Sequence, residues 1–512
     1  MTLENREDTA SDQALLADWD PDALFCVDLP TEPRPELGKI LVTGASGYVG
    51  GRLVPELLAR GYRVVLLVRG APEAYEKRWP GVEVIVGDLL LSDTLRDIFK
   101  DVHTAYYLIH SLRLGTRKYR AADIRAAINF RKAAENQGLK RIIYLGGLGD
   151  ISKIESTHLK NRIAVARELS AGSIPVTFLR AAIIIGSGSA SYEIIHHLIR
   201  RMPVLFIPSW TQNRCQPIGV RDVIKYLVGT LEVEETAGKS FDIGGPDILT
   251  YEEMLRLFAE MIHKKALFLH TPVRNIQAYS YAVSLITPVP APITRPLIEG
   301  LKDEMICREN EIRKFVPFEP LAYREAILLA LTREEQDKVH TRWSDAYPPA
   351  HVLAIKLHEL EHEPMYTSSY ELTSQKEPSA LFQSVTRIGG KTGWFNNNWM
   401  WRTRGLMDRL IFGVGTARGR KSYSTLAVND VIDFWRVEDI QTDRRVLLRA
   451  EMKLPGKAWL EFVIDNSRES RTLFIKAYFC TRTWFGRLYW YVFLPFHAAI
   501  FQGLIEQIEK RG

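Results

Sequence analysis

The sequence predicts an α/β fold, a doubly wound parallel sheet, followed by a smaller α+β domain. Three observations predict it. Strand-like and helix-like stretches alternate from Lys39 to about residue 180, the pattern of a parallel sheet covered on both faces. A glycine-rich turn joins the first strand of that series to its first helix. Beyond about Met365 the texture changes to strand-like runs with alternating apolar residues, closed by one long apolar stretch. At 512 residues the chain exceeds one ordinary core, so two or three domains are expected.

The organising stretch is K-I-L-V-T-G-A-S-G-Y-V-G (39–50). Ile40, Leu41 and Val42 read as a buried strand. From Tyr48 onward, Val49, Leu53, Leu57 and Leu58 recur at helical spacing. Gly44, Gly47 and Gly50 form G-x-x-G-x-x-G between the two elements. Glycine lets the backbone turn sharply and lets a pyrophosphate approach amides that a Cβ would block. The following helix points N–H groups and a partial positive charge at that phosphate. Gly44, Ser46, Gly47, Tyr48, Val49 and Gly50 are therefore the candidate phosphate-binding residues.

Further strands are expected at 63–68, ending at Arg69, and at 82–86, ending at Gly87-Asp88-Leu89. More follow at 105–109, 141–145 and 176–180. Helices are expected around Leu95, Ile98 and Phe99, from about Ala121 to Gln137, and from about Thr157 to Leu169. Ligands of such sheets bind beyond the carboxyl ends of the strands, where the glycine turn, Arg69, Asp88, Ile109 and Gly146 fall. An acid at the end of the second strand would bind the ribose 2′-hydroxyl of NAD, whereas a guanidinium suits the 2′-phosphate of NADP. Arg69 stands there with no acid near it, so NADP is expected, with NAD the alternative.

Residues 38 to about 250 resemble a short-chain dehydrogenase/reductase of the extended or atypical, NmrA-like kind with a Rossmann-type sheet. The resemblance rests on T-G-A-S-G-Y-V-G (43–50), G-D-L (87–89), L-R-A-A-I-I-I-G (179–186), P-I-G-V-R-D-V (217–223), F-D-I-G-G-P (241–246) and T-Y-E-E-M (250–254). It implies that Asp88 and Leu89 border the adenine and that Leu108, Ile109 and His110 line the cofactor channel. The backbone near Ile183 would face the nicotinamide. It also implies a substrate lobe over roughly 187–330, including helices around 254–261 and 296–301, so residues 38–345 read as one domain.

One departure bears on chemistry. The family's proton-transferring Tyr-x-x-x-Lys is missing, because none of the 20 tyrosines is followed by lysine four residues later. The family's strand-end serine is also absent, since 146–149 read G-G-L-G. At the expected place stand His158 and Arg162, four apart and on one helix face. Histidine can donate a proton near neutral pH, and arginine can hold the nicotinamide ribose. These two are the catalytic candidates. The reading is an NADP-dependent oxidoreductase acting on an unknown small-molecule substrate. The alternative is a non-catalytic nucleotide-sensing or assembly protein, like the regulatory members and the respiratory complex I accessory subunit of the wider family.

His358-Glu359-Leu360-Glu361-His362 matches the zinc motif H-E-x-x-H. Pro364 ends any helix two residues later, and prolines 348 and 349 precede it. Residues 346–364 therefore read as a connector, and no metal site is expected.

The second domain, 365–512, reads as a strand at 370–373, a short helix at 379–388 and strands at 433–437, 446–452, 459–464 and 473–479. A long apolar helix, 484–505, follows. This arrangement resembles the helix-grip fold of START-like lipid-binding domains, which implies a lipophilic ligand. G-G-K-T-G-W (389–394), R-G-L-M-D-R-L (404–410), D-F-W-R-V-E (433–438), A-E-M-K-L-P-G-K-A-W-L-E-F (450–462) and L-Y-W-Y-V-F-L-P-F-H (488–497) resemble an uncharacterised family of bacterial reductase-like proteins carrying this domain. Trp394, Trp399, Trp401 and Trp435 suit a pocket or a core. Arg402, Arg404, Arg409, Arg418, Arg420 and Lys421 suit an anionic head group or a solvated face. The stretch 488–505 is expected to be a buried helix rather than a span. Pro495 interrupts it, His497 and Gln502 follow, and the sheet needs an apolar cover. Peripheral membrane contact is the alternative.

Residues 1–37 hold ten acids against two bases and read as an acidic mobile tail. The whole chain nevertheless carries +6, so the remainder is basic, which suits phosphates, nucleotides or an anionic membrane. No nucleic-acid module is readable. No signal peptide is read at the N-terminus. The four cysteines are far apart, without C-x-x-C, which suits reduced thiols. A cytoplasmic location is expected, with membrane association through the C-terminal apolar helix the alternative.

Overall fold

Three consecutive residues, Ile40, Leu41 and Val42, have no exposed surface in the computed structural model. It describes residues 24–512 apart from 71, 110–115, 150–153, 273–274, 336–340, 346–356, 358–359, 361–363, 421, 423–424 and 467–470. A continuous apolar run of this kind belongs to a strand covered on both faces. The strands of the first unit are β1 (Lys39–Thr43), β2 (Arg63–Val68), β3 (Glu83–Val86), β4 (Val102–Tyr107), β5 (Arg141–Gly147), β6 (Val176–Ala181) and β7 (Ser240–Ile243). They form one sheet in the order β7-β6-β5-β4-β1-β2-β3. Every neighbouring pair is parallel. This is a Rossmann-like sheet, and its order reverses between β1 and β4, where a crevice opens.

Helices α1 (Gly50–Ala59), α2 (Thr116–Asn136), α3 (Thr157–Ser170), α4 (Ala190–Arg201) and α5 (Val220–Glu232) follow the sequence expectations where those were made. Leu53 and Leu57 of α1 share a core with Val223 and Leu227 of α5. Ala127 and Phe130 of α2 share another with Val165 and Leu169 of α3. Helices α6 (Tyr251–Met261) and α7 (Ala291–Gly300) belong to the lobe after the sheet. A capping box starts α6, with Thr250 and Glu253 each accepting the other's backbone N–H. The helix expected around Leu95, Ile98 and Phe99 is instead a 3-10 turn, Ser92–Leu95. Asp97 and Asp101 adopt left-handed φ of 61° and 60°, which an α-helix cannot contain. The three apolar residues are buried all the same.

The acidic tail expected over residues 1–37 is corrected for its second part. Residues 1–23 lie outside the described ones, but Phe25, Cys26 and Leu29 are buried in the α1–α5 core. The Glu56 carboxylate accepts the N–H groups of Phe25 and Cys26 at 2.5 and 3.0 Å. Tyr62 accepts the N–H of Arg34 at 2.9 Å, and Lys225 pairs with Asp28 at 2.7 Å. A few apolar residues and a buried acceptor hold this segment despite its charge.

The chain divides into two compact units, and residues 281–291 go with the second one rather than with the first. Hydrogen bonds and one ring contact, Tyr281 against Phe412 at 5.1 Å, tie them to it. Arg409 donates to the carbonyls of Thr287 and Pro288, and the Tyr281 hydroxyl donates to the Leu410 carbonyl at 3.0 Å. Of the expected connector, His358, Glu359, Glu361 and His362 lie outside the described residues.

In the second unit, strands β8 (Tyr366–Ser374), β9 (Val431–Ile432), β10 (Trp435–Gln441), β11 (Arg445–Ala450), β12 (Lys457–Asp465) and β13 (Arg471–Cys480) form an antiparallel sheet. Its order is β8-β13-β12-β11-β10-β9. Helices α8 (Pro378–Thr386), α9 (Asn398–Leu410) and α10 (Trp484–Arg511) accompany it. Trp394, Trp401 and Trp435 are core residues, the first two stacked at 4.2 Å, while Trp399 is exposed. Arg409, Arg418 and Arg420 are buried. Arg418 pairs with Glu451, and Arg420 donates to the carbonyls of Thr386 and Ile388. These three are structural, not head-group ligands; Lys421 lies outside the described residues. The expectation that the helix is buried along 488–505 is also corrected. Phe501, Leu504, Ile505 and Ile508 enter the core, but Leu488, Tyr491 and Val492 are half exposed or more. Leu381 and Val385 of α8, with Trp394 and Trp401, already cover part of the same sheet face.

Candidate functional site

A cavity of about 400 Å³ opens beyond the carboxyl ends of β1 to β6. The glycine turn forms one wall. Gly44 has φ +75°, which favours glycine, and a Cβ there would stand 2.8 Å from the Leu108 carbonyl oxygen. A Cβ on Gly50 would stand 2.4 Å from the Gly44 oxygen. The turn is closed by the Gly47 N–H, which donates to Gly44 at 2.8 Å. Thr43 fixes the switch point, since its hydroxyl donates to the Tyr106 carbonyl at 2.8 Å and accepts the Leu108 N–H at 3.1 Å. Helix α1 begins at Gly50 with Val49 as N-cap and no side-chain cap, so its first turn faces the cavity without a competing side-chain acceptor.

Gly44, Ser46, Gly47, Tyr48, Val49 and Gly50 all line this cavity. The Tyr48 ring lies 4.2 Å from the Arg52 guanidinium, which donates to the Ser187 carbonyl at 2.8 Å. Burial raises the Tyr48 phenol above its ordinary value, so it stays neutral. Arg69, at the end of β2, and Asp88 and Leu89, after β3, line the adjoining part. The Asp88 carboxylate accepts the Leu90 N–H at 2.9 Å, which fixes this loop. Leu108 and Ile109 line the cavity beyond β4, and Ile183 does so beyond β6. His110 lies outside the described residues.

His158 and Arg162 bring α3 to the same cavity. Arg162 donates to the Leu145 carbonyl at the end of β5, and its guanidinium lies 4.9 Å over the Tyr144 ring. The start of α3 is held by the lobe. Asp303 accepts the N–H groups of Glu155 and Ser156, and Glu299 accepts that of Thr157 at 3.1 Å.

Several lining residues were not read from sequence. Ser189 caps α4 by accepting the Tyr192 N–H at 3.1 Å, and S-A-S-Y before an apolar run is a signal that could have found it. Trp343 arrives from far along the chain, its N–H donating to Gly188 at 2.9 Å. No local pattern announces that contact. Ile194, Ile293, Leu297, Leu301, Met305 and Trp343 make the far end of the cavity apolar.

The NmrA-like family model matches residues 36–297, and a family described as a protein of unknown function (DUF2867) matches 361–504. The chain is 24% identical over 289 residues to NADH dehydrogenase (ubiquinone) 1 alpha subcomplex subunit 9 of Arabidopsis thaliana, covering 53% of this chain and 70% of that protein. It is 24% identical to divinyl chlorophyllide a 8-vinyl-reductase of Oryza sativa subsp. indica, covering 50% and 66%. It is 22% identical to the photosystem II assembly factor Ycf39 of Synechocystis, covering 46% and 71%. Among solved structures, triphenylmethane reductase of Citrobacter sp. complexed with NADP(H) is 21% identical, with a TM-score of 0.47, covering 57% of this chain and 99% of that one. WbmG of Bordetella bronchiseptica in complex with NAD is 14% identical, with a TM-score of 0.48, covering 61% and 98%.

Proposed function

The chain belongs to the NmrA-like family, and from that premise we propose that its first domain binds a nicotinamide dinucleotide and works as an oxidoreductase on a small apolar substrate. The observation that carries this reading is that the whole turn from Gly44 to Gly50 lines the cavity at the start of α1, in a backbone so tight that a Cβ on Gly50 would meet the Gly44 carbonyl. Such a turn leaves room for a pyrophosphate against the start of α1. Gly44 to Gly50 hold that group, Asp88 and Leu89 border the adenine, and Leu108, Ile109 and Ile183 line the way to the nicotinamide. NADP is preferred to NAD because Arg69 can pair with the 2′-phosphate.

The dinucleotide supplies a hydride donor or acceptor when bound. His158 holds the proton that the substrate oxygen gains or loses, and Arg162 orients the nicotinamide ribose. The apolar far end admits a hydrophobic body and keeps water from the reacting carbon. Titration of NADP(H) and NAD(H), by fluorescence or calorimetry, tests the assignment. NADP(H) should bind more tightly, and Arg69→Ala should lose on the order of 1.5–3 kcal/mol of that affinity. Equal affinities in the parent protein overturn the NADP preference, and binding of neither dinucleotide overturns the whole reading.

A second reading, a nucleotide-sensing or assembly protein, is favoured by the missing Tyr-x-x-x-Lys. A relative named as an assembly factor is among the matches. Bound NADPH that no carbonyl or alkene in a broad panel oxidises would select it. For the second domain, the helix-grip reading is supported by β8 pairing with β13 at the sheet edge and by α10 packing through Phe501 and Leu504. A lipophilic ligand there would have to displace the packed Trp394, Trp401 and Phe501.

A further inference from the structure

We propose that the second domain docks on an anionic lipid surface through the exposed half of α10 and the outer face of α9. The exposed side of a soluble helix ordinarily carries charges. On α10 it does not. Trp484 is 76% exposed and Tyr491 63%, and Leu488, Val492 and Phe496 are about half exposed. From Leu488 to Ile505 the sequence contains no Asp, Glu, Lys or Arg. On α9 and just beyond it, Trp399 is 65% exposed, with Leu406, Met407, Leu410 and Phe412 each more than half exposed.

Hydrogen bonds bring the two surfaces together. The Asn397 amide donates to the Ala499 carbonyl at 3.2 Å, tying the start of α9 to α10. Farther along, Arg404 donates to the Lys453 carbonyl at 3.0 Å, and the Lys453 N–H donates to Asp408 at 2.7 Å. The same loop accepts Thr481 at Pro455, 2.7 Å away, immediately before α10. One loop thus joins the end of α9 to the start of α10.

Charge identifies the occupant. From Arg471 to Ile505 the chain has Arg471, Lys476, Arg482 and Arg487 and no acid. From Lys391 to Ala427 its single acid is Asp408, fully buried and bonded to the N–H groups of Gly415 and Lys453. Lys391, Arg402, Lys453, Arg482 and Arg487 are exposed. Apolar and aromatic side chains rimmed by cations fit an anionic bilayer surface, where tryptophan and tyrosine sit at head-group depth. A second copy of the same face would set cations against cations.

By length and composition alone α10 qualifies as a span, but its second half is committed elsewhere. Phe501, Leu504, Ile505 and Ile508 are in the core, and Lys376 donates to the carbonyl of Gly512 at 2.8 Å. The stretch 484–499 amounts to about 24 Å of helix, short of the roughly 30 Å hydrocarbon layer. It lies in the surface rather than across it.

Flotation of the full chain with vesicles tests this. The parent should float with phosphatidylcholine vesicles that contain phosphatidylglycerol, much less with phosphatidylcholine alone, and be released by high salt. The double variant L488E/V492E, altered only at exposed positions, should lose about tenfold or more in binding while keeping the parent's circular dichroism. R482E/R487E should bring anionic vesicles down to the neutral level. The proposal is overturned if the parent floats with neither vesicle or if L488E/V492E floats as the parent does. A dimer in sedimentation that L488E/V492E dissociates, without vesicle binding, assigns the face to a second copy. Membrane material from cells that resists carbonate as well as salt assigns a span and overturns it too.

Discussion

One carboxylate oxygen of Asp303 accepts the backbone N–H of Ser156 at 2.9 Å. The other accepts the N–H of Glu155 at 2.7 Å. An acid at this position complements the helix dipole as well as two donors that α3 leaves unsatisfied. His158 is the second residue of α3, so the lobe after the sheet sets where the turn carrying the candidate proton donor begins. Asp303→Ala should therefore lower stability by about 2 kcal/mol, because two N–H groups lose their acceptor. Asp303→Asn, with one acceptor oxygen, should recover part of that loss. Chemical denaturation of the three proteins measures it, and an unchanged midpoint in Asp303→Ala would show that water replaces the carboxylate at no cost.

His158 and Arg162 separate in their expected effects. Arg162 is braced by the Leu145 carbonyl and the Tyr144 ring, so its guanidinium is preorganised for a ligand beyond β5. Arg162→Ala should weaken dinucleotide binding. His158→Ala should leave that binding within about twofold and abolish turnover, as removal of a general acid does. Unchanged turnover in His158→Ala removes the histidine from the chemistry.

The glycine turn gives a sharper structural test. A methyl group on Gly50 would have to move the Gly44 backbone, whose carbonyl oxygen is 2.4 Å from the ideal Cβ position. Neither neighbour is a flexible side chain, so the strain falls on the turn itself. Gly50→Ala should reduce dinucleotide affinity by about tenfold or more, at a stability cost of about 1–3 kcal/mol. Gly61 in the loop after α1 has nothing within 4 Å of its ideal Cβ, yet its φ is +79°. Gly61→Asn should keep parental affinity, because asparagine tolerates that backbone. Parental affinity in Gly50→Ala would mean that the turn does not hold the ligand.

The central strands of the sheet were legible because they are buried on both faces. I-L-V at 40–42 and I-I-Y-L at 142–145 are apolar runs with no competing interpretation. The glycine turn, Arg69, Asp88 and His158 could be placed because a parallel sheet puts successive strand ends along one crevice. Trp343 and Asp303 could not, because each reaches the site through a long-range backbone contact. Phe25 and Cys26 were hidden by acidic surroundings, and their acceptor Glu56 lies inside another helix. The helix α9 is not legible in the sequence for a different reason. Its Leu406, Met407 and Leu410 face outward, so apolar spacing there does not report a core.

The pH dependence of the second unit should carry the mark of His497. This ring lies between Trp490, at 5.3 Å, and Phe501, at 5.5 Å. Burial alone pushes its pKa down to about 4. An unfolded histidine titrates near 6.5. Above that pH both states hold the neutral ring, and the group has no effect on stability. As pH falls below it, the unfolded chain takes up a proton that the folded one refuses, so stability drops until about pH 4. The gap between an unfolded value near 6.5 and a folded one of about 4 corresponds to at most roughly 3 kcal/mol. Carboxylates titrate over part of the same range, so the informative quantity is the difference between two proteins. His497→Phe keeps an aromatic ring of similar volume and cannot be protonated. Denaturant unfolding followed by tryptophan fluorescence at pH 7, 6, 5 and about 4 should show the variant losing less stability than the parent, by about 2–3 kcal/mol at the lowest pH. Parallel pH profiles would show that the ring is protonated within the folded helix, and hence that water reaches it beside Trp490.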